Sequence, residues 1–286
     1  MRDDETHVRH AEAADAAAEH AVFCASVSEL HRARNYQWTE PRLEDFARNR
    51  AHILATDPFR CWVAELRGRV VGYTRAIVRD GTWFFASLFV DPAAQGRGIG
   101  RRLFDLAVAD APSRRMTITD SIQPISNALY GTRGLLPIAP LVRLVGTASA
   151  SSAAGVEPAE ASIDDLARVD RAAYGFERRI DHPYWASRWT RHAWARGGEI
   201  VGWSYRWPNG NIGPLAAVDA DAAAEVFRAE VAMDPSASIE MPASARPMLF
   251  AALTGGLRIV PPMGLLLASD GVPAPTALAI SNYGLY

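Results

Sequence analysis

The sequence predicts an α/β (α+β) protein with two similar domains, each a mixed, mostly antiparallel sheet flanked by helices. Three observations support this prediction. The hairpin pattern Gly-Arg-Val-Val-Gly-Tyr at residues 68–73 is echoed by Gly-Glu-Ile-Val-Gly-Trp at residues 198–203. The apolar segment TWFFASLFV, residues 82–90, has the composition of a buried central strand. A glycine-rich loop and an amphipathic helix follow that segment directly.

Chain length and one polar segment suggest where the two domains meet. With 286 residues, 49% of them hydrophobic, the chain can bury a core in each of two domains. The segment GTASASSAAGVEP has small and polar residues without apolar periodicity, which is typical of an exposed linker. We therefore predict a first domain over residues 1–146, a linker over 147–157 and a second domain over 158–286.

Composition excludes several functional classes. All 30 basic residues are arginine, so neither a P-loop lysine nor a Schiff-base lysine exists. Cys24 and Cys61 are too few for a disulfide scaffold or a zinc cluster, and the histidines lack ligand spacing, so we expect no metal. The net charge of −2 argues against a nucleic-acid partner. Without a long apolar run or a secretory signal, we expect a cytoplasmic protein with no membrane partner, in which a homodimer is compatible with the sequence.

The first half contains the more informative elements. Apolar periodicity and turn residues predict helices at 11–33 and 41–55, strands at 60–66, 69–79 and 83–90, a helix at 98–110, a strand at 115–121, a short helix at 125–133 and a strand at 136–145. The dipeptide Asp91-Pro92 ends the central strand, because proline cannot donate to a β-ladder.

The stretch DPAAQGRGIGRRLF, residues 91–104, has the features of a phosphate-binding loop. Glycines let a backbone approach a ligand closely, and a helix N-terminus presents unpaired N–H groups at the positive end of its dipole. Three arginines, Arg97, Arg101 and Arg102, add positive charge. A Walker A loop is excluded because lysine is missing. A dinucleotide fingerprint is excluded because its last glycine position holds Arg101 or Leu103.

The pattern that does match is Gln/Arg-x-x-Gly-x-Gly/Ala, at Gln95, Gly98 and Gly100. At these residues the sequence resembles the GNAT superfamily of acetyl-CoA-dependent N-acetyltransferases. The preceding LFVDP and the upstream hairpin GRVVGY occupy the family's positions. A later family motif is matched at Leu129, Tyr130 and Gly134, and departed from at Gln123, Ser126 and Leu135.

The resemblance implies a sheet that splays beside its central strand and a first domain that binds acetyl-CoA as acyl donor. The backbone of Leu88, Phe89 and Val90 would then bind the pantetheine arm and polarise the thioester carbonyl. The implied pyrophosphate site consists of Gln95, Gly96, Arg97, Gly98, Ile99, Gly100 and Arg101. Tyr130 is the implied proton donor to the leaving thiolate, and the alternative interpretation is a packed aromatic residue.

The general base remains open at this stage. Asp120, at the predicted end of the next strand, is a candidate, and the alternative interpretation is a helix-capping or turn aspartate before Ser121. Glu29 and His31 lie where the first helices of such proteins often line the acceptor site. We expect both to be solvated surface residues.

The second half lacks the glycine loop. Ala216–Asp221 takes its place, with Asp219 and Asp221 where phosphates would lie, so we expect a degenerate GNAT-like domain that does not bind acetyl-CoA. Five tryptophans between residues 185 and 207 form either an aromatic acceptor pocket or interdomain surface, or the core packing of the helix and hairpin.

The predicted function is acetyl transfer from acetyl-CoA to a primary amine of a small molecule or peptide, by direct attack on the thioester. The second domain would cover or shape the acceptor site. The alternative is a catalytically inactive acyl-CoA-binding regulatory or sensor protein, suggested by Gln123 and by the lack of a carboxylate on the central strand. The sequence identifies neither the acceptor nor the preferred acyl-CoA.

Overall fold

Each half of the chain repeats one order of helices and strands. The computed structural model describes residues 6–149 and 155–286. The first half contains β1 (His7–His10), α1 (Ala16–Ala33), α2 (Leu43–Thr56), β2 (Cys61–Leu66), β3 (Arg69–Arg79), β4 (Thr82–Val90), α3 (Ile99–Val108), β5 (Arg114–Asp120), α4 (Pro124–Gly131) and β6 (Leu136–Thr147). The second half contains β7 (Glu157–Ala159), α5 (Ile163–Tyr174), α6 (His182–Ala186), β8 (Thr190–Arg196), β9 (Glu199–Arg206), β10 (Asn211–Ala217), α7 (Ala220–Met233), β11 (Ser236–Pro242), α8 (Arg246–Thr254), β12 (Arg258–Ala268) and β13 (Leu278–Ala279).

The predicted elements of the first half are confirmed with shifts of a few residues. The order β2-β3-β4-α3-β5-α4-β6 recurs as β8-β9-β10-α7-β11-α8-β12, so the hairpin echo in the sequence marks a structural repeat. Strand β1 was not predicted, because its sequence HVRH lacks the apolar alternation of a half-buried strand. It pairs with β2 at the edge of the sheet, where polar strands are common.

The described strands form one sheet, and the two halves exchange strands at its centre. The order is β1-β2-β3-β4-β5-β12-β6-β11-β10-β9-β8-β7, with β13 attached to β10. Strand β12 pairs antiparallel with β5 of the first half, and β6 pairs antiparallel with β11 of the second half. The last long strand of each half thus completes the sheet of the other.

The predicted domain boundaries remain a prediction. Residues 150–154 of the predicted linker lie outside the described residues, and its ends fall in β6 at Thr147 and in β7 at Glu157. Because of the strand exchange, the strands of each half pair with a strand that lies on the other side of this linker in the sequence.

Strand β4 is buried on both faces, as its apolar sequence predicts. Trp83 and Phe85 pack against Phe104 of α3 on one face, with ring centroids 6.3 and 4.9 Å apart. On the other face Phe84 stacks on Tyr286, with centroids 5.3 Å apart. The sheet is thus covered by side chains on both faces at β4. None of the helices in the described residues combines the length and hydropathy needed to cross a membrane.

The tryptophans of the second half belong mostly to its core. Trp185 and Trp203 are fully buried, and the guanidinium of Arg178 lies over both rings. Trp194 is buried as well, and Trp189 stacks on Trp207 with centroids 4.1 Å apart. The core interpretation of this cluster therefore holds.

In the second half, the central strand β10 separates from its parallel neighbour β11, and strand β13 of the same chain occupies the resulting gap. Strands β10 and β11 pair in parallel only at Asn211↔Ser238 and Ile212↔Ile239. Beyond this point β13 pairs with β10, and the N–H of Ile280 donates to the carbonyl of Glu240 at 2.9 Å. We call residues 277–280 the inserted segment. It fills the space that a bound ligand would need in this half.

A substitution at Gly213 is expected to displace the inserted segment. A Cβ atom at this position would collide with the backbone carbonyl of Ile280, so Gly213→Ala should destabilise the fold by roughly 1–3 kcal/mol. Urea unfolding would measure the loss. The matched control is Gly131→Ala, where a Cβ has nothing within 4 Å. Equal stability of the two variants would contradict the tight fit of the inserted segment.

Candidate functional site

A wedge-shaped opening separates β4 from β5 at their C-terminal ends. The two strands pair in parallel from Thr82↔Arg114 to Phe85↔Thr117. The hydroxyl of Thr117 donates to the carbonyl of Phe85 at 2.9 Å, which marks the last contact of the ladder. From there β4 continues to Val90 beside β3 alone. We call the space between residues 86–90 and 118–120 the first gap.

The register of β3 and β4 decides which backbone groups face the first gap. The N–H of Asp91 donates to the carbonyl of Val71 at 2.8 Å, so this pair lies in a hydrogen-bonded position of the ladder. Since such positions alternate along antiparallel strands, the peptide groups of Phe89 face β3, whereas those of Leu88 and Val90 face the gap. The predicted backbone role of Phe89 is therefore corrected.

The carbonyl of Val90 is already occupied by protein donors. It accepts the hydroxyl of Ser26 at 2.9 Å and the side-chain amide of Gln95 at 3.0 Å. Gln95, predicted as a phosphate ligand, thus also holds the glycine loop against the end of β4. The groups still directed at the gap are the N–H and carbonyl of Leu88 and the N–H of Val90.

The glycine loop turns β4 into helix α3 through left-handed backbone conformations. Gly96 and Gly98 have φ values of 78° and 77°, and Gly98 is the N-cap of α3. A left-handed conformation costs an ordinary residue about 1–2 kcal/mol, which explains glycine at both positions. Ile99 is buried and anchors the helix, so its contribution to ligand binding would be its backbone N–H.

The first turn of α3 presents an anion-binding surface. The N–H groups of Ile99, Gly100 and Arg101 have no partner within the helix, because each lies in its first turn. The side chain of Arg101 is exposed, and Arg102 donates to the carbonyl of Thr6 at 2.9 Å. Helix dipole and arginines together favour a phosphate-bearing ligand here.

Tyr130 lies where the first gap opens. Its ring centroid is 5.6 Å from that of Phe85, the last residue of β4 that pairs with β5, and 5.8 Å from that of Phe104. Burial raises the pKa of the Tyr130 phenol, and a hydrogen bond with Ser126 opposes this shift. The hydroxyl therefore stays protonated near neutral pH. The ring contacts show a packed aromatic residue, and the role of its hydroxyl as proton donor stays a prediction.

Asp120 ends β5 and has the properties of a proton acceptor. Burial raises the pKa of its carboxyl group, whereas the nearby His31 lowers it. The side chain of Asp120 does not cap α4. The side-chain amide oxygen of Gln123 does so instead, by accepting the N–H of Ile125 at 3.3 Å. The capping half of the alternative interpretation is thus wrong, but the turn half is confirmed, because the carbonyl of Asp120 accepts the N–H of Gln123 at 3.0 Å. A carboxylate with a raised pKa beside the gap suits general-base chemistry.

His31 and Glu29 differ in their environments. Glu29 is exposed, as expected, but His31 is only 8% exposed, so its predicted surface position is wrong. Residue 31 falls on the inner face of α1, where its ring lies 6.3 Å from the rings of Tyr36 and Trp38. Its Nδ1 atom is buried and has no hydrogen-bond partner among the described residues.

Two side chains of the second half reach the same region, and sequence reasoning missed both. The hydroxyl of Tyr283 donates to a carboxylate oxygen of Glu240 at 2.9 Å. Burial raises the pKa of Glu240, and the charge of Asp120 adds to this shift. The available signal was a single acidic residue in the apolar strand SASIEMP, but only the exchange of β6 and β12 places β11 near β5.

Three groups of metal-ligand type also meet, although no metal was expected. Ligand atoms of His20, Cys24 and Glu40 lie within 4.8 Å of one another. Burial raises the pKa of the Cys24 thiol to about 12, and the carboxylate of Glu40 adds to the shift. A metal ion bound here would have to displace the thiol proton, because the ligand form of cysteine is the thiolate. His20 makes a further contact of 2.9 Å to the carbonyl of Pro41.

The first half thus presents an unpaired β4 edge that runs into a glycine loop and a helix N-terminus. Residues 25–135 match the model of the acetyltransferase (GNAT) family. Over these residues the chain is similar to the acetyltransferases that this family model describes. A search of the curated proteins finds no match to this chain.

Solved structures share the fold over the whole chain. A candidate acetyltransferase from Pyrococcus horikoshii is 16% identical, with a TM-score of 0.79 over 100% of this chain and 97% of that chain. A GCN5-related N-acetyltransferase from Sphaerobacter thermophilus is 15% identical, with a TM-score of 0.62 over 94% and 96% of the two chains. A tandem GNAT protein from the clavulanic acid biosynthesis pathway is 15% identical, with a TM-score of 0.57 over 94% and 100%. These similarities show a tandem GNAT fold.

Proposed function

We propose that the chain transfers the acetyl group of acetyl-CoA to a primary amine of a small molecule or peptide by direct attack on the thioester. One observation carries this proposal. The unpaired edge of β4 leads directly into the glycine loop and faces the end of β5, where Asp120 lies. A donor site, an anion site and a proton acceptor thus adjoin one opening.

The exposed groups match the chemistry of acetyl-CoA in order. The amide-containing pantetheine arm can pair with the Leu88 and Val90 backbone as an added strand. Its pyrophosphate would lie at the N-terminus of α3, near Gly98 and Arg101. In the second half, Asp219 caps α7 by accepting the N–H of Ala222 at 2.7 Å, and the inserted segment fills the gap. These contacts support one donor site per chain, in the first half.

The chain's own residues would then act in sequence on the bound reactants. Acetyl-CoA supplies the thioester, whose carbonyl oxygen gains negative charge as the C–N bond forms. The N–H of Leu88 or Val90 would donate to this oxygen, a contact typically worth about 3 kcal/mol. Asp120 would accept the proton released by the amine. As the C–S bond breaks, Tyr130 would donate to the departing sulfur, so that an amide and the free thiol of CoA result.

Replacement of Tyr130 distinguishes an enzyme from a sensor that binds without turnover. A hydrogen bond to a charged group contributes about 1.5–3 kcal/mol, so Tyr130→Phe should slow acetyl transfer roughly tenfold to hundredfold. Thiol release from acetyl-CoA with a panel of primary amines measures the rate. The matched control is Tyr174→Phe, a buried tyrosine of the second half whose hydroxyl donates to Ala279 at 3.3 Å.

The sensor alternative makes the opposite expectation. It requires acetyl-CoA binding without thiol release for every amine, in the parent protein and in both tyrosine variants. Binding by calorimetry together with absent turnover would therefore replace the enzymatic proposal by the alternative.

A further inference from the structure

Strand register places carboxylates from both halves on one face of the sheet. Asp120 of β5 pairs with Gly264 of β12, Gly264 with Leu141 of β6, and Leu141 with Pro242 of β11. Directly opposed residues of paired strands project from the same face, and so do residues two apart along a strand. Glu240 lies two residues before Pro242. Asp120 and Glu240 therefore share this face.

Tyr283 lies between the two carboxylates. A Cβ atom at Gly264 would collide with the Tyr283 hydroxyl, so the ring covers the glycine that pairs with Asp120. The same hydroxyl donates to Glu240 at 2.9 Å. The inserted segment, which pairs with β10, ends three residues before Tyr283. The segment that fills the space beside β10 thus leads directly into the side chain that lies over the pairing partner of Asp120.

Two carboxylates and one guanidinium, that of Arg143, share this face of the sheet. Burial raises the pKa of both Asp120 and Glu240. Arg143 opposes Glu240 across β6 and β11, and although its side chain is exposed, its charge lowers the pKa of Glu240. His31 faces Asp120 from α1 and lowers the pKa of that carboxyl. A positively charged ligand would relieve the repulsion between the carboxylates.

Two buried polar atoms beside Asp120 have no partner among the described residues. One is Nδ1 of His31, on α1, in a side chain only 8% exposed. The other is Oδ1 of Asn127, on α4, whose side-chain amide donates to the carbonyl of Asp120 at 3.5 Å. Buried polar atoms without partners are costly, and a ligand N–H donor would satisfy the Asn127 oxygen, whereas the role of His31 Nδ1 as donor or acceptor depends on its tautomer.

We propose that the acceptor is a dicationic amine, a short aliphatic diamine or polyamine. Its reacting nitrogen lies at Asp120, and its second positive group lies at Glu240 and Tyr283. This inference rests on the proposed function, because it assigns the acceptor class of the same site. It makes Glu240 a specificity-determining residue supplied by the second half of the chain. An acceptor with a carboxylate in place of the second cation would be repelled by Glu240.

Calorimetric titration of three related amines into the full chain, with and without CoA, tests this assignment. Putrescine, n-butylamine and γ-aminobutyrate share a four-carbon primary amine and differ in a distal ammonium, methyl or carboxylate. Putrescine should bind about tenfold more tightly than butylamine, as one charged contact provides, and aminobutyrate should bind most weakly. Glu240→Gln should remove most of the preference for putrescine, and Tyr283→Phe should reduce it.

A matched control and a separate readout keep the outcomes distinct. Glu199→Gln removes a carboxylate that is 74% exposed in the second half and should leave the preference intact. Equal affinities for the three amines, or a preference that survives Glu240→Gln in a folded protein, would overturn the assignment. Acetyl-CoA binding is titrated in parallel. If the parent protein does not bind acetyl-CoA, the proposed function is overturned. The amine preference is measured in titrations without the acyl donor, so its failure is distinguishable from that outcome.

Discussion

Replacement of Gly98 by glutamate is expected to abolish acetyl-CoA binding. Gly98 has a φ of 77° and caps α3, so a side chain there strains the loop and stands before the unpaired N–H groups of the helix. A carboxylate at this place would also repel the phosphates of the ligand. We expect affinity to fall at least about hundredfold, which corresponds to the loss of roughly 2.8 kcal/mol. Calorimetric titration of acetyl-CoA into the parent protein and the variant measures this change in affinity.

The matched control separates backbone strain from the loss of the site. Gly271 has a φ of 78°, and a Cβ there also has nothing within 4 Å. It lies after β12, outside the glycine loop, so Gly271→Glu should cost similar stability and leave acetyl-CoA binding unchanged. If the Gly98 variant bound like the parent protein while folded, the anion site would have to be sought elsewhere.

Asp120→Asn is expected to lower the rate and to raise stability at neutral pH. General-base catalysis contributes about 10²–10⁴-fold, so the rate should fall by at least hundredfold. Burial raises the pKa of Asp120, hence the ionised form is disfavoured in the folded state. Stability is therefore lost as pH rises through this raised pKa, and asparagine avoids that loss. Thermal unfolding at several pH values measures the gain, which should vanish in acid.

The pH dependence of the rate provides an independent test. In the parent protein the rate should rise as pH increases through the pKa of Asp120, and the asparagine variant should lack this rise. Asp110→Asn is the control, since Asp110 is 67% exposed and pairs with Arg60 on the surface. A variant at Asp120 that kept both the parent rate and the parent pH profile would remove this residue from the proposed mechanism.

The sequence alone determined the elements whose signals are local. The apolar run of β4, the proline after it and the glycine loop at residues 95–100 predicted a strand, its end and a helix start, and all three are observed. These signals depend on backbone conformation and burial over a few residues. The hairpin echo likewise predicted the structural repeat, because a strand, a glycine turn and a second strand are encoded within about a dozen residues.

Only the tertiary structure decided how the halves combine. Apolar periodicity reports which face of a strand is buried, but it does not name the strand's partner, so the exchange of β6 and β12 could not be predicted. The inserted segment pairs with a strand some sixty residues upstream. Glu240 and Tyr283 were missed, and the burial of His31 was mispredicted, for the same reason, since each acquires its environment from distant segments. Local sequence determined β4 and the glycine loop, where we propose that the acyl donor binds, and long-range pairing brought Asp120, Glu240 and Tyr283 onto one side of the sheet.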